Sequence, residues 1–440
     1  MSAEIGPVAQ FLGDSLCLIV EPSSAFSSSL QSALISMGLS SSQILTTKRF
    51  EDAKRIIEER KPKLLVTEYE VEQFFGLALI ELQEKHYDEM SRIAVVVSKN
   101  NSDSAVAEAA EEQIDAFILK PFSPDTFQKK LASVIIRKNT PSPYTKKIQA
   151  GKRRVESEEL DEAILEFNQA KPLEAKPTLA HFYAGQTFLA QGKGALALLE
   201  FQAGRLHQPL HYKCLTGEFE GMIGEKRYQE AYALVSIIQK NYPITSHRLG
   251  QIFIAAVFTS NFEDLPKYYE LFLKFENRSP ELVKLTSLAL LTAGRVAIKD
   301  NKIPKSCEYF KMGAVASGKS FDFLNKVINE FIKIKAPTEA QIFLEEVSHS
   351  ERGTPRYCQL SFRVDELVLS KDQLIEKGRK LVLAGHGTAE IFQSLVLLMA
   401  TCGRLTLAET IIGAAVRDYP ELRSTLYGIL AEAEKNKRAA

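Results

Sequence analysis

Uninterrupted apolar runs, rather than alternating ones, mark the first third of the chain. Leu16–Val20, Leu64–Val66, Ile93–Val97 and Phe117–Leu119 read this way, as strands covered on both faces of a parallel sheet should. Gln43–Thr46 is a weaker candidate of the same kind. Between them, apolar residues recur at helical spacing: Phe26, Leu30, Ala33 and Leu34; Ala53, Ile56 and Ile57; Ala78, Leu79 and Leu82; Phe127, Leu131, Val134 and Ile135. Strand and helix alternate five times within about 125 residues, which predicts an α/β, doubly wound, five-stranded parallel sheet.

From Tyr144 the strand pattern stops and a repeat takes over. Ala163, Phe167 and Ala170 return as Ala197, Phe201 and Gly204, then as Ala231, Val235 and Ile238. Gly151 and Gly185 keep the same interval in the preceding segment, and Pro209 and Pro243 punctuate it. Ser306, Phe310 and Gly313, then Ala408, Ile412 and Ala415 with Pro420, carry it towards the end. A small residue lets two helices approach closely, and neither hairpin buries its apolar face alone, so the pattern predicts a stacked all-α solenoid. Between about residues 245 and 385 the pattern decays and predicts irregular helix lengths; Leu407–Arg417 and Leu422–Ala433 read as a closing pair with a polar cap.

The chemistry gathers at strand ends. Glu21 and Pro22 follow the first strand, Glu68 the third, Ser98 the fourth and Lys120–Pro121 the fifth. Open α/β sheets place working groups at that edge. With these residues in these places, the front of the chain resembles the receiver domain of bacterial response regulators. Receivers carry paired acids after strand 1, a phosphate-accepting Asp after strand 3, Thr or Ser after strand 4 and Lys-Pro after strand 5. Phe117 matches the switching aromatic, and Gly76–Leu77 the glycine that opens the third helix. Pro22 stands where the resemblance expects a second acid, Glu68 where it expects the acceptor Asp, and Glu72 where it expects a Pro. The 34-residue rhythm of the rest is similar to tetratricopeptide repeats.

These departures predict a pseudo-receiver, because phosphoryl transfer needs a carboxylate of the right reach and a divalent cation held by oxygen ligands. Glu68 either stands in for a phosphorylated acceptor or forms a plain ion pair with Lys120 at a wet sheet edge. The expected organisation is a pseudo-receiver over 12–138, a linker over 139–143 and repeats over 144–435. The function expected is that of a signalling scaffold binding protein partners in the repeat groove. The alternative is an atypical response regulator, phosphorylated or ligand-switched at the same pocket. A second surface carries Glu108, Glu111 and Glu112, with Asp115 beyond, and Lys129 and Lys130, with Arg137 and Lys138 beyond. In receivers such faces pair across a two-fold axis, which makes this a candidate homodimer or docking surface.

Composition narrows the classes. Fifty-five Lys plus Arg balance fifty-five Asp plus Glu, so no global field favours nucleic acid. The basic cluster Lys146, Lys147, Lys152, Arg153 and Arg154 is diluted by Glu156, Glu158 and Glu159 and reads as a solvated helix face. No apolar run spans a bilayer, and Met1–Asp14 has no export-signal pattern. Five scattered cysteines fit a reducing, cytoplasmic setting. No catalytic set, cofactor motif or metal site is expected: Pro209 separates His207 from His211, Gly192-Lys193-Gly194 lacks the rest of a phosphate loop, and Gly385-His386-Gly387 reads as an inter-helix turn. Tyr183, Phe188, Tyr212 and Tyr232 are either groove residues or core.

Overall fold

Strands whose every residue is buried fix the front of the molecule. The computed structural model describes residues 5–72, 74–99, 114–242, 244, 246–275 and 278–439. The chain divides into two compact units, Met1–Thr245 and Ser246–Ala440.

In the first unit the sheet is built from β1 (Cys17–Val20), β2 (Ile44–Thr47), β3 (Leu64–Glu68), β6 (Ile93–Ser98) and β7 (Ala116–Leu119). Their order is β2-β1-β3-β6-β7, parallel throughout. Alternate side chains feed two cores. Cys17, Ile19, Leu64, Val66, Val95 and Val97 face α2 (Ser24–Ser36) and α5 (Pro124–Asn139), through Leu30, Leu34, Phe127 and Leu131. Leu18, Val20, Leu65, Ala94 and Val96 face α3 (Phe50–Arg60) and α4 (Leu77–Glu84), through Ala53, Ile57, Leu79 and Ile80. The doubly wound sheet expected from the apolar runs is therefore present. Two elements were not anticipated: α1 (Ile5–Leu12), whose Val8 and Leu12 join the first core, and a small hairpin of β4 (Glu70–Val71) and β5 (Phe74–Phe75) after β3.

Helices follow. α6 (Pro143–Glu156) and α7 (Leu160–Ala170) form a hairpin, continued by α8 (Thr178–Ala190), α9 (Gly194–His207), α10 (Tyr212–Gly224) and α11 (Tyr228–Asn241). α7, α9 and α11 begin 34 residues apart, as do α8 and α10. The small and bulky positions meet: a Cβ on Gly151 would lie 2.4 Å from the Phe167 ring, and one on Gly185 would lie 2.6 Å from the Phe201 ring. A Cβ on Gly217 would also lie 2.6 Å from the Phe201 ring, so two glycines make room for that ring.

Among the described residues the second unit holds eleven further α-helices: α12 (Ser246–Phe258), α13 (Leu265–Lys274), α14 (Pro280–Lys299), α15 (Ile303–Ala316), α16 (Phe321–Lys333), α17 (Pro337–Glu345), α18 (Pro355–Asp365), α19 (Lys371–Leu383), α20 (Ala389–Thr401), α21 (Leu405–Asp418) and α22 (Arg423–Ala439). Their lengths run from 9 to 20 residues, the irregularity expected of this stretch. The close approach persists: a Cβ on Gly294 would lie 2.2 Å from the Phe310 ring, and one on Gly378 would lie 2.4 Å from Leu395. Leu426 and Leu430 of α22 close the last core.

Overpacking a close contact of this kind costs about 1–3 kcal/mol. Gly185→Ala should lower the urea midpoint of unfolding accordingly, while Gly413→Ala, whose Cβ would meet nothing within 4 Å, should leave it unchanged or raised.

Candidate functional site

Because the strands are parallel and in register, their carboxyl ends share one edge. Glu21 and Pro22 follow β1 directly, Glu68 is the last residue of β3, Ser98 the last of β6, and Lys120 follows β7. They meet at an open depression of about 360 Å³, whose rim also carries Glu70, Glu72 and Lys99. Lys120 is the centre. Its ammonium lies 2.5 Å from Glu21 Oε2, contacts Glu68 Oε2 and sits 4.6 Å from the centre of the Phe26 ring. The Lys120 side chain is 2 % exposed, Glu21 1 % and Glu68 13 %. The wet-edge ion pair considered from sequence is thus corrected: the pair is buried, because Glu21 and Phe26 close over the lysine.

Backbone donors fix both carboxylates. Ser23 N–H donates to Glu21 Oε1 at 3.0 Å, and Tyr69 N–H to Glu68 Oε1 at 3.2 Å. Ser98 is buried in the wall of the depression. Phe117 is half-buried against the second core, and its carbonyl accepts from Lys130 Nζ at 2.9 Å. One role escaped the sequence reading. Glu72, at φ +58°, accepts from Phe50 N–H at 3.1 Å and so caps α3 from across the sheet edge, while Phe74 stacks on Phe50 at 4.6 Å. Together these fasten the loop that follows Glu68.

Residues 17–132 match the family model of the response regulator receiver domain. The front domain is a receiver domain. No curated protein matches the chain. Among solved structures, a tetratricopeptide repeat protein from Parabacteroides merdae is similar at 14 % identity and a TM-score of 0.34, covering 58 % of this chain and 98 % of its own. A Pseudomonas aeruginosa pilF structure follows at 16 % identity and 0.21, covering 56 % and 94 %, and the P58(IPK) TPR domain at 13 % and 0.22, covering 67 % and 89 %.

Receiver chemistry uses a divalent cation, and the residues present do not fit one. Such a cation takes mainly oxygen ligands, yet Glu21 and Glu68 both turn onto Lys120, and Pro22 offers no side-chain oxygen. Among the described residues no group of three His, Cys, Asp or Glu side chains is gathered to hold a metal. His211 is the N-cap of α10, its Nδ1 accepting from Cys214 N–H at 3.3 Å, and burial, then Lys213, pushes its pKa down to about 4.

The candidate dimer face is placed only in part. Glu108, Glu111 and Glu112 lie outside the described residues. Lys129 pairs with Asp125 at 2.9 Å. Asp115 and Lys138, read as surface charges, are instead buried partners at 2.7 Å within the receiver; burial pushes the Asp115 carboxyl up and the Lys138 ammonium down. Lys138 also donates to the Arg92 carbonyl at 2.7 Å and to that of Glu89. The basic cluster is likewise engaged: Lys152 contacts Glu89, Lys147 lies 2.7 Å from Glu166, and Arg154 contacts Glu159. Burial, the largest single influence, would push Glu89 up, but Lys152, Gln149 and Lys138 together outweigh it and hold that carboxyl below its usual range. Tyr212, Tyr268 and Phe272 are core, whereas Phe258 is exposed.

Removing one member of a buried ion group leaves uncompensated charge, worth about 3–5 kcal/mol. Lys120→Met should lower receiver stability by that amount, and adding Glu68→Gln should recover part of it, as read from urea unfolding monitored by circular dichroism.

Proposed function

We propose that this chain is a non-enzymatic signalling scaffold: a receiver that does not rely on phosphorylation, joined to repeats that bind a protein partner. The observation that carries the reading is the enclosure of Lys120 by Glu21 and Glu68, with Pro22 beside them. A phosphoryl acceptor has to face solvent and a donor in line. Here the carboxylate at that position is taken up by the lysine, and the three charges sum to one negative without any added group. The pocket therefore holds a fixed arrangement instead of cycling through a modification. Stacked helices supply the interaction surface, since the close glycine contacts leave one face of each hairpin to others.

Among the described residues no helix is long and apolar enough to cross a membrane, and a cytoplasmic setting belongs to the same proposal. So does self-association through the face bearing Lys129 and Lys130. Sedimentation of Lys129→Glu/Lys130→Glu tests it: a mass equal to that of the parent at every concentration ends that part.

Incubation with a small phosphodonor and Mg²⁺, followed by intact-mass measurement, should give no phosphoryl adduct on the parent chain. A stoichiometric adduct overturns the reading. The Pro22→Asp/Glu68→Asp variant, which restores the paired acids and the shorter acceptor, should gain one.

A further inference from the structure

The first hairpin carries an apolar cavity that the pocket chemistry does not use. It measures about 180 Å³ and is lined by Val155, Phe167, Tyr183 and Thr187, together with Lys152 and Glu156. A dry cavity of about 150 Å³ takes up benzene, so this one accommodates a single phenyl or isobutyl group. Phe167 and Tyr183 stack at 5.7 Å and supply the aromatic wall.

A second cavity, of about 430 Å³, lies between receiver residues 84–92 and α6, and shares Lys152 and Glu156 with the first. Of its seven charged side chains, four are spent in the Glu84–Arg92 and Glu89–Lys152 pairs. Asp88, Glu156 and Arg153 are left, one negative charge in excess. An apolar seat beside an acidic one fits an aromatic or aliphatic residue followed by a basic residue.

Lys152 belongs to both. Its ammonium contacts Glu89 of the receiver, whose Oε2 also accepts from Gln149 Nε2 at 3.2 Å, and it lies 5.4 Å from the centre of the Tyr183 ring. We propose that these joined cavities bind a partner peptide carrying an apolar residue next to a basic one, and that Glu89, through Lys152, lets the receiver control entry. The proposal rests on the scaffold reading and adds the partner chemistry and its regulation. The ammonium already lies over the Tyr183 ring, and its contact with Glu89 keeps it 5.4 Å from the ring centre. Without that carboxylate it is drawn closer onto the Tyr183 face and covers the apolar seat. By linkage, an occupied seat strengthens the hold of the receiver on α6.

The test uses the full chain and two probes, N-acetyl-4-fluorophenylalanyl-arginine amide and its glutamate counterpart, followed by fluorine NMR titration. The arginine probe should bind, roughly threefold tighter than the glutamate probe, as one exposed charge pair allows. Gln186→Trp, an exposed lining position filled by a bulky ring, should weaken it by about tenfold or more. Glu89→Gln should weaken it about fivefold, the lower end of ordinary coupling, and this loss should vanish in a Lys152→Met background. Absence of binding, or equal binding by Gln186→Trp, overturns the site. Tighter binding of the glutamate probe overturns the charge preference, and a Glu89→Gln loss that persists without Lys152 overturns the control. A phosphoryl adduct on Glu68 would remove the scaffold reading, whereas these titrations, run on the unphosphorylated chain, decide the site by themselves, so the two failures are distinguishable.

Discussion

One ammonium governs the front of this molecule. A buried charge needs partners, and the Lys120 side chain, reaching in from the edge strand β7, finds two carboxylates delivered by the mutually paired strands β1 and β3. A charged triad is weak evidence for stability, since desolvation offsets most of the attraction. Its value lies in specificity: the three side chains can be satisfied together only when β1, β3 and β7 end level. Shifting any one strand by a residue would bury a lone charge as well as exchange its side chains between the two cores.

The helical part obeys a different constraint, close approach. Wherever a glycine faces a ring, as in Gly151–Phe167, Gly185–Phe201 and Gly294–Phe310, two helices come near enough that the ring fills the space a side chain would need. Partner positions lie sixteen residues apart, which is one helix plus its turn. Repetition of that distance keeps the helical part recognisable where helix length drifts between 9 and 20 residues.

Those two constraints decide what was legible in the sequence. The central strands were, because a strand buried on both faces has no polar position to blur it. The pocket residues were, because parallel strands in register bring their ends together without further information. Glu72 was not: its role as a cap for α3 depends on a two-residue hairpin and on a partner 22 residues earlier. The pairing of Lys138 with Asp115 was missed although a signal existed. Leu131, Val134 and Ile135 lie on the buried face of α5, and Lys138 takes the next position on that same face, where a lysine needs a partner. Lys152 was read as part of a solvated stripe because nothing local marks a contact with a residue 63 positions away.

The pocket and the first hairpin sit at opposite ends of the strands, and that separation limits how one can inform the other. Glu89 and Arg92 precede β6, whereas Ser98 ends it, so about 20 Å of strand lies between them. The sheet is buried on both faces. α5 spans the same interval as a rigid rod, about 24 Å at 1.5 Å per residue. It begins just after Lys120, where Phe122 packs on Phe26 and Phe127, and ends at Lys138, which holds the Glu89 and Arg92 carbonyls. Only Thr140–Ser142 separate it from α6. A displacement of Lys120 would therefore reach Glu89, and through it Lys152, as a shift of the whole helix. With Lys120 clamped between two carboxylates, the resting state of that rod is set by the same ion group that closes the pocket.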